Sequence, residues 1–154
     1  MQDDGRFDGT NFSNWLKQVK ELCIESGHLG VALYHIGEIF IHCPADVNGL
    51  WINRTAEAAL NTKDADKMRD GFSIGERNSR GGQYVDPTGK PERELAEKYR
   101  QQAEEIENVG YHRLAAMLRD LAKDYDRDAE RIINQYIGKK NSPLIYPTKK
   151  ENIP

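Results

Sequence analysis

The chain has 154 residues, of which 38% are apolar and 31% charged, and its formal charge is -3. This length fits one domain with one core, and the acidic balance excludes a general attraction to phosphate backbones or anionic membranes. No apolar stretch approaches the roughly 20 residues of a membrane-spanning helix, so we expect no membrane segment. Cys23 and Cys43 form no CxxC pair, and we interpret them as reduced thiols of a cytoplasmic protein.

Residues 1–10 are polar and acidic, and we predict a flexible leader there. An amphipathic helix is predicted from Asn11 to Gly27, with Asn11 or Ser13 as its cap. Its apolar residues recur every three or four positions, which places them on one face of a helix that needs a helical partner. The residues on this face are Phe12, Trp15, Leu16, Val19, Leu22 and Cys23.

The segment 28–43, HLGVALYHIGEIFIHC, has two interpretations. As a helix it is apolar nearly all round, apart from one polar stripe. As an alternative, 31–43 forms a β-hairpin that turns at Gly37–Glu38. Glycine weakens a helix interior by about 1 kcal/mol relative to alanine, yet we favour the helix because the preceding amphipathic helix needs a partner.

Two shorter helices follow. Asn48–Gly49 is predicted to reverse the chain. Asn53 is predicted to cap the first helix. The second helix is predicted to begin at Asp64 and to end before Gly81–Gly82. Residues 80–90 are predicted to be a loop, because Asp86–Gly89 has the composition of a tight turn.

Residues 91–137 are predicted to form an antiparallel helical hairpin with a break at Gly110. Residues 95–106 and 121–132 share the pattern Leu-Ala-x-x-Tyr-x-x-x-Ala-x-x-Ile, which gives each helix a narrow seam of large and small residues. The tail, 139–154, is basic and contains proline, and we predict that it is extended. The sequence therefore predicts an all-α domain of five or six helices over 11–138.

Three histidines are spaced by seven residues, at 28, 35 and 42. On a helix, His35 and His42 lie near Glu38, and such a group could bind a metal ion or respond to pH. Successive histidines would stand about 10.5 Å apart, so one ion cannot bind all three. We interpret His35, Glu38 and His42 mainly as the polar edge of a buried helix and expect neither a metal nor another cofactor.

A second candidate site is the loop that joins the middle of the chain to the hairpin. Arginine side chains beside flexible glycines can bind a phosphate or a carboxylate through paired hydrogen bonds. The segment lacks the GxxxxGK[ST] and GxGxxG motifs of nucleotide-binding proteins. The candidate ligand-binding or partner-binding residues are Arg77, Asn78, Arg80, Tyr84 and Lys90.

No nucleophile, base and orienting group occur in a pattern that would indicate catalysis. We therefore predict a non-catalytic helical accessory module that binds another protein or associates with itself. One alternative is a sensor or enzyme that binds a small anion through Arg77, Arg80 and Lys90. A second is a nucleic-acid-binding accessory factor, which the negative charge makes the weakest of the three.

Overall fold

The computed structural model describes residues 7–82 and 85–140, which contain six helices and no strand. This confirms the all-α prediction, and the alternative β-hairpin at 31–43 is wrong because residues 29–40 are helical. The helices are α1 (Gly9–Glu25), α2 (Leu29–Phe40), α3 (Arg54–Asn61), α4 (Asp66–Asn78), α5 (Lys90–Asn108) and α6 (His112–Lys140). None of them is long and apolar enough to cross a membrane.

Glycines bring α2 and α4 into direct backbone contact. A Cβ at Gly37 would overlap the carbonyl oxygen of Met68 and lie 2.8 Å from its carbonyl carbon. A Cβ at Gly71 would meet the carbonyl group of Tyr34 in the same way, and one at Gly75 would lie 3.2 Å from the carbonyl oxygen of Glu38. The two helices therefore pack this closely only because three positions carry no side chain.

The helices α5 and α6 form a second close pair that runs antiparallel. The rings of Tyr99 and Tyr125 stack with their centroids 5.6 Å apart, and Arg119 Nη1 of α6 donates to Glu107 Oε1 of α5 over 2.8 Å. The alanines of the shared pattern are all buried, so the backbones approach along small residues. These alanines are Ala96, Ala103, Ala122 and Ala129.

The shared pattern corresponds to a local pseudo-two-fold symmetry of this pair. The register that stacks Tyr99 on Tyr125 brings the first alanine of each segment opposite the second alanine of the other. The pairing of positions is therefore the same when the two segments are exchanged. The similarity of 95–106 to 121–132 reflects a shared packing solution rather than a repeat array.

The short helix α3 connects the two pairs. Its last residue, Asn61, accepts hydrogen bonds from the backbone N–H of Arg113 at 2.8 Å and of Leu114 at 3.4 Å, so it caps the start of α6. The Asn53 cap of α3 is confirmed by a 2.9 Å bond from the N–H of Thr55. The predicted break at Gly110 is observed between the end of α5 and the start of α6, where this glycine has φ at +96°.

Two predicted helix starts are wrong by two residues. α1 begins at Gly9 because Asp8, rather than Asn11 or Ser13, accepts the N–H groups of Thr10 and Asn11 at 2.9 and 3.0 Å. α4 begins at Asp66 rather than at Asp64. In both cases more than one polar residue was available, and the residue that caps depends on the path of the preceding chain.

The glycine contact predicts opposite effects for two substitutions in α2. Gly37→Ala forces a methyl group into the Met68 backbone and should lower the free energy of unfolding by about 1–3 kcal/mol, or more if α4 cannot shift. Gly30→Ala is the matched control because a Cβ there meets nothing within 4 Å, and it should raise stability by up to about 1 kcal/mol. Urea unfolding measures both. Equal stability of the two variants would contradict the contact.

Candidate functional site

Arg77, in the last turn of α4, contacts α6 and does not extend into solvent as a free side chain. Its Nη2 donates to Asp128 Oδ2 at 2.9 Å, and its Nη1 lies 3.5 Å from Asp124 Oδ2. The same guanidinium lies 5.4 Å from the centroid of the Tyr125 ring, within cation–π range. One arginine thus joins the end of α4 to two successive turns of α6.

Arg80 reaches the same tyrosine from the loop after α4. Its guanidinium carbon lies 5.2 Å from the Tyr125 ring centroid, and its Nη2 donates to Glu92 Oε1 of α5 at 3.2 Å. Burial raises the pKa of Tyr125 above its usual value, and the nearby charges of Arg80 and Arg77 partly oppose that rise. The structure therefore brings the two predicted arginines together, but around carboxylates and a tyrosine of this same chain.

The other loop residues do not join them. Lys90 is exposed and lies 3.7 Å from Glu94, one turn further along α5, while Asn78 is exposed at the end of α4. Tyr84 lies outside the described residues. The predicted convergence of Lys90 with the two arginines is therefore not observed.

The predicted histidine stripe lies on the outer surface of α2. His28, His35 and His42 are exposed, and Nδ1 of His35 lies 2.8 Å from Oε2 of Glu38. Within the described part of the chain, no three His, Cys, Asp or Glu side chains are grouped closely enough to hold a metal ion. These histidines are part of the polar surface of the protein, and α2 is not buried on all its other sides as predicted.

The burial of Glu57 was not predicted from the sequence. This residue lies in the first turn of α3, is fully buried, and neither carboxylate oxygen has a hydrogen-bond partner in the described chain. Burial, with a smaller contribution from the negative charge of Asp46, raises the pKa of Glu57 to about 7, although Arg54 opposes the shift. Nothing in the sequence distinguishes this position, because a glutamate in the first turn of a helix is usually exposed.

A cavity of about 220 Å³ lies where the end of α2, the chain before α3, α4 and α5 meet. It combines aromatic walls, such as Phe40 and Phe72, with the polar side chains of Trp51, Glu76 and Gln102. Trp51 packs partly against the core, with its ring centroid 6.2 Å from that of Phe72. We name this space the interhelical cavity.

The apolar face of α1 is only partly covered. Leu16 is buried, and Phe12 and Val19 pack against the core. Trp15 is 42% exposed and Leu22 is 66% exposed. The periodicity correctly grouped these residues on one face, but it could not indicate that the rest of the chain covers only one side of that face.

Comparisons with protein families, with characterised proteins and with solved structures find no match to this chain. Its function therefore has to be inferred from these surfaces and contacts.

The Arg77 contacts predict a structural role that Lys90 does not share. Arg77→Ala removes two ion pairs and a cation–π contact that are about one third exposed, and it should lower the free energy of unfolding by roughly 1–2 kcal/mol. Lys90→Ala, the control at an exposed position, should change it by less than about 0.5 kcal/mol. An Arg77→Ala protein as stable as the unaltered chain in urea would refute the structural role.

The burial of Glu57 predicts a pH dependence of stability. Its pKa rises from 4.5 to about 7 on folding, so the folded state holds the proton more tightly and its stability falls as pH rises through that interval. Glu57→Gln should remove this slope and stabilise the protein at about pH 8 by roughly 1–3 kcal/mol.

Urea unfolding at about pH 5 and about pH 8 measures the effect of Glu57. Glu105→Gln, which alters an exposed carboxylate of α5, is the control and should leave the slope in place. The same slope in the Glu57→Gln protein would show that another group causes it.

Proposed function

We propose that this protein is a non-catalytic helical interaction module that associates with a second copy of itself through α1. The observation that carries the proposal is the exposure of Trp15 and Leu22 on the apolar side of this helix. A large aromatic and a large aliphatic side chain on the edge of a core-facing stripe are typical of a helix that packs against a further helix.

The two side chains lie on one stripe of α1. They are seven residues apart, so they point in nearly the same direction and are separated by about two turns of the helix, or about 10.5 Å. Between them lie Gln18 and Val19, and Val19 packs against the core. The exposed stripe is therefore continuous with the hydrophobic core, and a partner helix would extend that core outward.

Charge favours a second copy as the partner. Most positions along this side of α1 are uncharged, namely Asn11, Gln18 and Val19, whereas Lys17 and Glu21 lie on the other side and form an ion pair with each other, 3.9 Å apart. Glu25, the last residue of the helix, is the charged residue on this side. Two identical stripes can therefore meet antiparallel without bringing the two Glu25 carboxylates together. A contact this small falls below the usual size of stable interfaces, so we expect a weak, concentration-dependent dimer.

The anion-binding alternative receives less support. Arg77 and Arg80 bind carboxylates and Tyr125 within the chain. An anion at this place would have to compete with those contacts. Lys90, which the alternative also needs, pairs with Glu94.

Sedimentation velocity over a range of protein concentrations tests the proposed association. The unaltered chain should sediment faster as concentration rises, and the double variant Trp15→Ser, Leu22→Ser should remain monomeric at every concentration. Removing two partly exposed apolar anchors eliminates the area that drives the contact.

Ile24→Ser is the matched control. Ile24 is 61% exposed, but it lies on nearly the opposite side of α1 from Leu22, so its loss should leave the association unchanged. Circular dichroism checks that all variants keep their helices. A chain that stays monomeric, or a dimer unaffected by the double variant, would refute the proposal, and capture of a different protein through the stripe would replace the second copy as partner.

A further inference from the structure

The last three turns of α6 extend beyond the helix with which α6 pairs. Gly89 immediately precedes α5, and a Cβ on this glycine would come within 3.1 Å of the Cα and Cβ of Ala129 in α6. The two helices are antiparallel and α6 continues to Lys140, so about 16 Å of helix runs past the start of α5. We name residues 130–140 the α6 extension.

The apolar seam of α6 continues into this extension and becomes exposed there. The positions three, four, seven and eight residues after the buried Ala129 are all apolar and lie on one side of the helix. They are Ile132, Ile133, Tyr136 and Ile137. The first two are half-buried, whereas Tyr136 and Ile137 are 36% and 53% exposed. The seam that packs α6 on α5 therefore ends in an exposed apolar face.

The charges of the chain are unevenly distributed, and this end is basic. Between residues 131 and 150 there are five basic side chains and no acidic one, namely Arg131, Lys139, Lys140, Lys149 and Lys150. Because the whole chain has a formal charge of -3, the rest of it has -8. Glu130, the first residue of the extension, is its only acidic residue. The exposed apolar face thus belongs to a basic part of an otherwise acidic chain.

These charges decide which kind of partner the face fits. A second copy of the extension would carry the same net positive charge, which opposes association. Duplex nucleic acid would attract the lysines but would leave Ile137 in water. A bilayer binds a helix in proportion to the apolar area that enters it, and the half-buried Ile132 and Ile133 could enter only in part. A protein surface that is both apolar and acidic matches the extension best.

We propose that the α6 extension is a docking surface for an acidic amphipathic helix of another protein. The apolar side of that helix packs on Ile133, Tyr136 and Ile137, so it continues the α5–α6 seam through anchors three and four residues apart. Its carboxylates are attracted by the basic residues that follow Ile137. Three turns give a small interface, so the binding is weak and sensitive to salt. This surface does not depend on the association through α1.

The binding of synthetic helical peptides to the full chain, measured by fluorescence anisotropy, tests the proposal. The labelled probe is a peptide of about three heptads with leucine at its core positions and glutamate at its flanking positions. One control peptide has lysine in place of the glutamates, and another has serine in place of the leucines. The acidic amphipathic peptide should bind less tightly as salt is raised, and each control should bind at least about tenfold more weakly.

Two variants locate the binding on the extension. Ile137→Ser removes an exposed apolar anchor, and the double variant Lys139→Glu, Lys140→Glu reverses the charge beside it. Each should weaken binding of the acidic peptide by about tenfold.

Each variant has a matched control elsewhere on the surface. Val31→Ser alters a side chain of α2 that is 61% exposed. The double variant Lys67→Glu, Lys123→Glu makes the same change of charge at lysines that are 61% and 70% exposed. Both controls should bind the peptide as the unaltered chain does, and circular dichroism checks that all variants keep their helices.

Absence of binding by the acidic peptide would overturn the proposal, as would equal affinity for either control peptide or unchanged affinity in either extension variant. Tighter binding of phosphatidylserine vesicles or duplex DNA, lost in the same variants, would overturn it in favour of a membrane or a nucleic acid. In sedimentation velocity the extension variants should associate as the unaltered chain does. Failure of this proposal and failure of the α1 dimer are therefore separate results.

Discussion

Backbone contact between α2 and α4 is the constraint on which the other features depend. The contact requires glycine at Gly37 and Gly71, because a methyl group at either would overlap a carbonyl group of the facing helix. It fixes the direction of α4 and thereby delivers the last turn of that helix, with Glu76 and Arg77, to the α5–α6 pair. The polar contacts of this region are consequences of that placement.

The two helix pairs meet through side chains, with little close backbone contact between α4 and α5. Tyr99 bonds to Glu76, while Arg77 and Arg80 surround Tyr125. Between these bridges the pairs leave the interhelical cavity. α1 lies at the edge of this frame and is covered on one side only, so the cavity and the α1 stripe both follow from how the pairs are arranged.

Helical periodicity predicted the all-α class and most helix positions, because a helix face is encoded by neighbours three and four residues away. The predictions that failed concerned tertiary contacts between residues distant in sequence. Gly37 suggested a turn, whereas its partner Met68 lies 31 residues later. Arg77 suggested a ligand, yet its partner Asp128 is 51 residues away. Which apolar side chains stay uncovered, as Trp15 does, depends on distant segments that no local pattern describes.

In the proposed arrangement, α1 lies at the edge of the frame formed by the two helix pairs and presents its exposed stripe to a second copy. Native-state hydrogen exchange at low and high protein concentration tests it most directly, since it resolves local opening from global unfolding. We predict that amides of α4, α5 and α6 exchange only through global unfolding, whereas those of α1 exchange faster and slow as concentration rises. Amides of α1 as protected as those of α5 and α6 at low concentration, or unchanged between the two concentrations, would contradict the account.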